Sequence, residues 1–129
     1  MKGKGAMARI LLVDDEAMLR RTLRAMLERA GHAVIEAEDG AQALRIFARE
    51  SPDLVITDIV MPNVEGVETI QELRRRDPDL PIIAMSGGGS KGGALFLTIA
   101  KEIGATRTLA KPIRQAELME ALAASLRKA

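Results

Sequence analysis

Five side chains, scattered along this sequence, could do chemistry together: Asp14, Asp15, Asp58, Ser86 and Lys111. Asp14 and Asp15 stand side by side after the apolar run "ARILLV". Asp58 sits at the tip of "LVIT", inside "LVITDIVMPN", and a turn closed by Pro62 follows it. Ser86 ends "LPIIAMS", and Lys111 follows "RTLA". Three carboxylates packed together repel one another, so their pKa values rise unless a cation sits among them. A hard divalent ion with oxygen ligands meets that need, and Mg²⁺ takes one or two carboxylates directly while keeping several waters. Lys111 would bring a mobile point charge to the same place. A cation, a lysine and a small hydroxyl around a carboxylate suit a phosphoryl group. Asp58 is then the candidate nucleophile, and its product would be an acyl phosphate.

Convergence of these residues requires a particular scaffold. The first apolar run is followed by "EAMLRRTLRAMLERAG", where Leu19, Leu23, Met26, Leu27 and Ala30 recur at helical spacing and Gly31 stops the helix. "HAVIEA" reads as a strand, and "DGAQALRIFARE" as a helix with Ala43, Leu44 and Phe47 on one face. After the third strand, a helix over 67–75 turns Ile70 and Leu73 inward until Asp77 and Pro78 break it. "LPIIAMS" is a fourth strand, "ALFLTIAKEIGA" a helix closed by Gly104, and "RTLA" a fifth strand. "IRQAELMEALAASLRKA" is a last helix with Ala116, Met119, Leu122 and Leu126 in phase. Strands alternating with helices need crossovers, which predicts a parallel sheet covered on both faces. Nearly continuous apolar strands agree with that burial. In such open sheets ligands bind beyond the carboxyl ends of the strands, where all five residues fall.

Composition narrows the classes. A chain of 129 residues fits one domain, and 47% hydrophobic with 29% charged residues is ordinary for a globular protein. No apolar run is long enough to span a bilayer, so no membrane role is expected. Cysteine is absent, which excludes disulfides and thiolate metal sites and suits a cytoplasmic setting. With 19 basic against 18 acidic residues, and Phe47 and Phe96 as the only aromatics, neither a basic footprint nor a stacking platform for nucleic acid exists. Residues 1–7, beginning "MKGKGA", read as a tag remnant or disordered tail, which leaves 8–129 as the folded domain.

"ILLVDDE", "DLVITDIVMPNVEG", "IIAMS" and "LAKP" together resemble the receiver domain of two-component response regulators. Each motif alone is weak, but the ordered set, one per strand end, is specific. The resemblance runs from about Ala8 to the end of the chain. It implies a flavodoxin-like doubly wound five-stranded sheet of order 2-1-3-4-5 with five helices. It also implies Asp58 as phosphoacceptor, Asp15 as a direct Mg²⁺ ligand, Asp14 acting mainly through water, and the backbone carbonyl of Val60 completing the protein ligands. Ser86 and Lys111 would each contact a phosphate oxygen, the Lys111–Pro112 bond would be cis, and Gly66 would occupy the turn after "MPN". The implied partners are a sensor histidine kinase or histidine phosphotransfer protein upstream and an effector downstream. The implied activity is acceptance of a phosphoryl group, with weak autophosphorylation and autodephosphorylation, and not that of a dedicated enzyme.

Two departures from the family pattern stand out. Three residues before the lysine, where the family usually has Tyr or Phe, this chain has Thr108, so the usual ring switch has no ring. The segment 87–93 holds five glycines, whose backbone freedom would let it carry more of the change. In the fourth helix Leu95, Phe96 and Leu97 are consecutive and span about 200° of arc, too much for one buried stripe. Either that helix starts late and tucks in its first turn, or one side faces a partner. A contact with an effector or a second copy, through the fourth and fifth helices, is expected there.

Blander readings exist for each residue. Asp14 and Asp15 could cap the following helix, Ser86 could be turn chemistry before glycines, and Lys111 a surface lysine. His32 reads as a solvated loop residue far from the acids. "SGGGSKGG" lacks the Gly-Lys-Ser/Thr order of a nucleotide loop. A haloacid dehalogenase-type phosphatase would need an acid two residues after Asp58, where Val60 stands. A flavin carrier would need Trp or Tyr, and a partner-binding pseudo-receiver would not keep all five site residues.

Overall fold

A computed structural model of the chain describes residues 7–59, 65–87 and 93–126. Five strands and five helices alternate: β1 (Arg9–Val13), α1 (Ala17–Arg29), β2 (Ala33–Ala37), α2 (Gly40–Glu50), β3 (Leu54–Asp58), α3 (Glu65–Arg76), β4 (Ile82–Gly87), α4 (Gly93–Ile103), β5 (Arg107–Lys111) and α5 (Gln115–Leu126). All strand pairs are parallel, in the order β2-β1-β3-β4-β5. The doubly wound sheet expected from the sequence is therefore present.

Strand alternation divides the core in two. Leu11, Val13, Val55, Ile82 and Ala84 face α2, α3 and α4, whereas Ile10, Leu12, Leu54, Ile56, Ile83 and Met85 face α1 and α5. The three central strands are buried on both sides, so their side chains leave no amphipathic signature.

Local chemistry ends the helices where the sequence places the breaks. Gly31 and Gly104 take positive φ values of 98° and 127° after α1 and α4, conformations that a Cβ would disfavour. Asp39 caps α2 by accepting the Gln42 N–H at 2.7 Å, and the Gln42 side chain accepts the Glu38 N–H in return.

Four expectations change. In α2, Ala43 is buried with Ile46, and Leu44 and Phe47 only flank them. In α5 the buried stripe is Leu118, Ala121, Leu122 and Ser125, with Ala116 exposed, so the inward face is rotated from the expected one. The fourth helix does not start late: α4 begins at Gly93, Leu95 is 62% exposed, and Phe96 alone of the three consecutive residues packs against the core. Gly66 lies within the first turn of α3, and its role is close approach: a Cβ would fall within 2.6 Å of three backbone atoms of Ile59.

His32 is not solvated as expected. It is half-buried at the start of β2, and its Nδ1 accepts the Ala8 N–H at 3.1 Å. This ties down the first buried residue of the fold, at the end of the sheet opposite the acids. Residues 1–6 and 127–129 lie outside the described residues. No helix among the described residues is long and apolar enough to cross a membrane.

Two outcomes follow from this packing. Gly66→Ala should lower stability by about 1–3 kcal/mol through forced overpacking on Ile59, measured by urea unfolding followed by far-UV circular dichroism. Burial lowers the His32 pKa from 6.5, and its acceptor role needs the neutral ring. The unfolded chain therefore binds the proton first as pH falls, so stability is full above 6.5 and declines below it. His32→Asn, whose Oδ1 can take the place of Nδ1, should remove that segment from the pH profile of the melting temperature; an unchanged profile would refute the assignment.

Candidate functional site

The site is built where β1, β3, β4 and β5 end. Asp14 is the first residue past β1, fully buried, and its N–H continues the ladder by donating to the Ala37 carbonyl at 3.1 Å. Its Oδ1 accepts the Glu16 N–H at 2.8 Å, so its side chain folds back over the start of α1. The N-cap of α1 is nonetheless Glu16, so neither Asp14 nor Asp15 is the capping residue. Asp15, the next residue, is exposed. Asp58 ends β3 and is 4% exposed, and the Ile59 N–H beyond it holds the Met85 carbonyl at 2.9 Å.

Lys111 joins the two buried acids. Its Nζ donates to Asp14 Oδ2 and to Asp58 Oδ2, each at 3.1 Å, and lies 3.8 Å from Glu16 Oε1. Burial opposes its charge, but the attraction of Asp58 and Asp14 and their hydrogen bonds outweigh it and hold the pKa above the usual lysine value. The Lys111–Pro112 peptide bond is cis, as the resemblance implies.

Asp14, Asp15 and Asp58 each offer a carboxylate oxygen, and these oxygens lie within 4.8 Å of one another. Three carboxylates against one ammonium leave a formal charge of −2, which one divalent cation would balance. The donor set is all oxygen, as a hard cation requires.

Ser86 stands one residue beyond Met85, the β4 partner of Asp58, and one before Gly87, the β4 partner of Lys111. Its side chain is fully buried, and its Oγ has no hydrogen-bond partner among the described residues. An unmatched buried hydroxyl is costly and uncommon, and this one could donate to an acceptor brought to the strand ends; Ser125 on α5 is a second such hydroxyl.

Of the residues expected from the sequence, Asp14, Asp15, Asp58 and Lys111 converge by direct distances, and Ser86 adjoins them by strand register. The Val60 carbonyl and most of the glycine-rich segment, residues 88–92, lie outside the described residues. Thr108 is half-buried on β5, in register with Ala84 and so on the α4 face of the sheet. Three contributors were not anticipated. Glu16 is a fourth carboxylate near Lys111, Thr57 is buried and donates its hydroxyl to the Asp58 carbonyl at 3.1 Å, and Arg20 donates to the Asp14 carbonyl at 2.6 Å. Only Glu16 had a signal, its adjacency to the acid pair.

Fold and site together define an open parallel α/β module with an acidic pocket at the carboxyl edge of its sheet. Comparison with known proteins makes this specific. Residues 10–123 match the family model described as the response regulator receiver domain, and the chain belongs to that family. Over 93% of its length it is 38% identical to a probable transcriptional regulator, ycf27, of Guillardia theta, and 36% identical to the response regulator MprA of Mycobacterium leprae. It covers 46% and 51% of those proteins, so the chain spans about half the length of these relatives. Among solved structures, a response regulator receiver domain protein from Clostridium thermocellum is similar with a TM-score of 0.87 and 30% identity, covering 95% of this chain and 96% of that one. The chemotaxis protein CheY4 of Vibrio cholerae is similar at 0.82 and 31%, covering 94% and 100%. The chain is thus a receiver domain of two-component signal transduction.

Removing the shared cation tests the electrostatics. Lys111→Met leaves Asp14 and Asp58 buried without it and should cost about 3 kcal/mol in metal-free buffer at pH 7, since Lys111 is not wholly enclosed. The loss is read from urea unfolding of the variant beside the wild type. A variant as stable as the wild type would contradict this account.

Proposed function

We propose that this chain is the phosphoacceptor of a phosphorelay, with Asp58 receiving a phosphoryl group from the phosphohistidine of a sensor kinase or histidine phosphotransfer protein. The observation that carries this reading is the buried Asp58 carboxylate bonded to Lys111 at 3.1 Å, beside a buried Ser86 hydroxyl with no partner among the described residues. An Asp58 oxygen attacks phosphorus as the phosphorus–nitrogen bond breaks, and imidazole departs as the leaving group. Lys111 is then free to exchange the Asp58 carboxylate for a phosphate oxygen, and Ser86 Oγ to donate to another. Slow attack by water at phosphorus returns the carboxylate and inorganic phosphate. This makes the domain an acceptor with weak self-phosphorylating and self-dephosphorylating activity and not a dedicated enzyme.

The cluster fits Mg²⁺. Asp15 and Asp58 would hold it directly, Asp14 mainly through water, and the Val60 carbonyl would complete the protein ligands. Bound there, Mg²⁺ would neutralise charge on the transferring phosphoryl group. The exposed position of Asp15 suits a ligand that an ion reaches from solvent.

The readout is a shift between two conformations that differ in partner affinity. With Thr108 in place of a ring, the 87–93 segment carries the change from Ser86 toward α4. The exposed Leu95 and the open edge of β5 beside α5 form the contact for an effector or a second copy. The setting is cytoplasmic.

Incubation with Mg²⁺ and a small phosphodonor such as acetyl phosphate should add one phosphoryl group by intact mass. Omission of Mg²⁺ and the Asp58→Asn change should each abolish the addition. A mass gain that persists in Asp58→Asn, or no gain in the wild type, would sink the proposal.

A further inference from the structure

Strand β2 has no member in the acid pocket, yet one of its residues reaches it through an intermediary. Val34 and Glu36 lie on the α1 face of β2, and Leu12, the β1 partner of Glu36, is buried in the core beneath that helix. An apolar residue would be ordinary at position 36. Instead a carboxylate meets two arginines one helical turn apart on α1. Arg20 Nε donates to Glu36 Oε1 and Arg24 Nη1 to Glu36 Oε2, both at 2.8 Å. The Glu36 and Arg20 side chains are only 22% and 16% exposed.

Anchoring α1 to β2 would need only one of these arginines. What distinguishes Arg20 is its other arm, which donates from Nη1 to the Asp14 carbonyl at 2.6 Å. Asp14 is thereby held at every polar atom: N–H by Ala37, Oδ1 by Glu16, Oδ2 by Lys111, and the carbonyl by Arg20. Asp15 differs, since its side chain makes no hydrogen bond among the described residues. Its place within 4.8 Å of the other two carboxylates depends on the backbone that carries it. The orientation of the Asp14–Asp15 peptide plane is set by what its carbonyl accepts, and that donor is Arg20.

We propose that Arg20, held by Glu36, is a positioning residue that fixes the Asp14–Asp15 peptide and so presents Asp15 to a divalent cation. The inference rests on the reading of the acid cluster as a Mg²⁺ site. The planar fork of arginine matters here, because two nitrogens in fixed relation join a carboxylate on one element to a carbonyl on another. Lysine offers a single point charge and cannot span both.

The test uses the full chain and its Arg20→Gln, Arg20→Lys, Arg24→Gln, Glu36→Gln and Asp15→Asn variants. Mg²⁺ affinity is measured by calorimetry, and amide exchange of Asp15 and Glu16 by NMR without metal. Arg20→Gln should weaken Mg²⁺ binding about tenfold, the scale of losing an outer partner of a metal ligand. It should also speed exchange at Asp15 and Glu16, and Arg20→Lys should not restore either. Phosphorylation by a small donor should return to the wild-type rate at saturating Mg²⁺, a recovery that a misfolded variant would not show. Arg24→Gln, which loosens the same ion cluster without touching Asp14, should leave Mg²⁺ affinity unchanged. If Arg20→Gln does not fold, Glu36→Gln decides, since it frees Arg20 and should weaken binding by about threefold or more. Arg20→Gln binding within twofold of wild type, or an equal loss in Arg24→Gln, overturns the inference. Failure of the wild type to bind Mg²⁺, with Asp15→Asn behaving like it, instead overturns the metal reading and this inference with it.

Discussion

A single ammonium between two buried carboxylates is the constraint around which this molecule is arranged. Lys111 sits at the end of β5, Asp58 at the end of β3 and Asp14 just past β1, and the Nζ atom is 3.1 Å from an oxygen of each acid. An isolated buried carboxylate is expensive, and the ammonium brings each of the two an opposite charge within hydrogen-bond reach. The lysine carries too little charge to finish the task. The cluster stays acidic, an all-oxygen set that could hold a divalent cation.

The parallel sheet is what allows this. Residues 14, 58 and 111 lie far apart in sequence but share one edge because every strand points the same way. The two cores, one on each face of the sheet, pack against the strands that carry these residues. Helix α3 adds to this by pressing Gly66 onto the backbone of Ile59, the residue next to Asp58. Asp58 is thus backed by a contact that leaves no ready room for a side chain at position 66.

Much of this was legible in the sequence. Polar residues at the ends of nearly unbroken apolar runs are conspicuous, so Asp14, Asp15, Asp58, Ser86 and Lys111 could be picked out; strand–helix alternation implied a parallel sheet, and the family resemblance its strand order. What stayed hidden depends on contacts between distant elements. The inward faces of α2 and α5 were misphased because on α2 the larger Leu44 and Phe47 lie at the margin and Ile46 is buried, while on α5 the small Ala121 and Ser125 face inward. His32 looked like a loop residue because its partner is a backbone N–H 24 positions earlier. Gly66 looked like a turn residue because nothing in its neighbourhood announces Ile59. Glu36 and Arg20 carried no signal, because their meaning lies in a pairing between two different elements.

The buried hydroxyl of Ser86 finds no acceptor among the described residues, although it stands between the strand positions that pair with Asp58 and Lys111. A buried O–H in that condition costs free energy relative to a satisfied one, and an apolar side chain of the same size would serve the packing as well. The end of β4 thus keeps a polar group that the described fold does not need for its own cohesion.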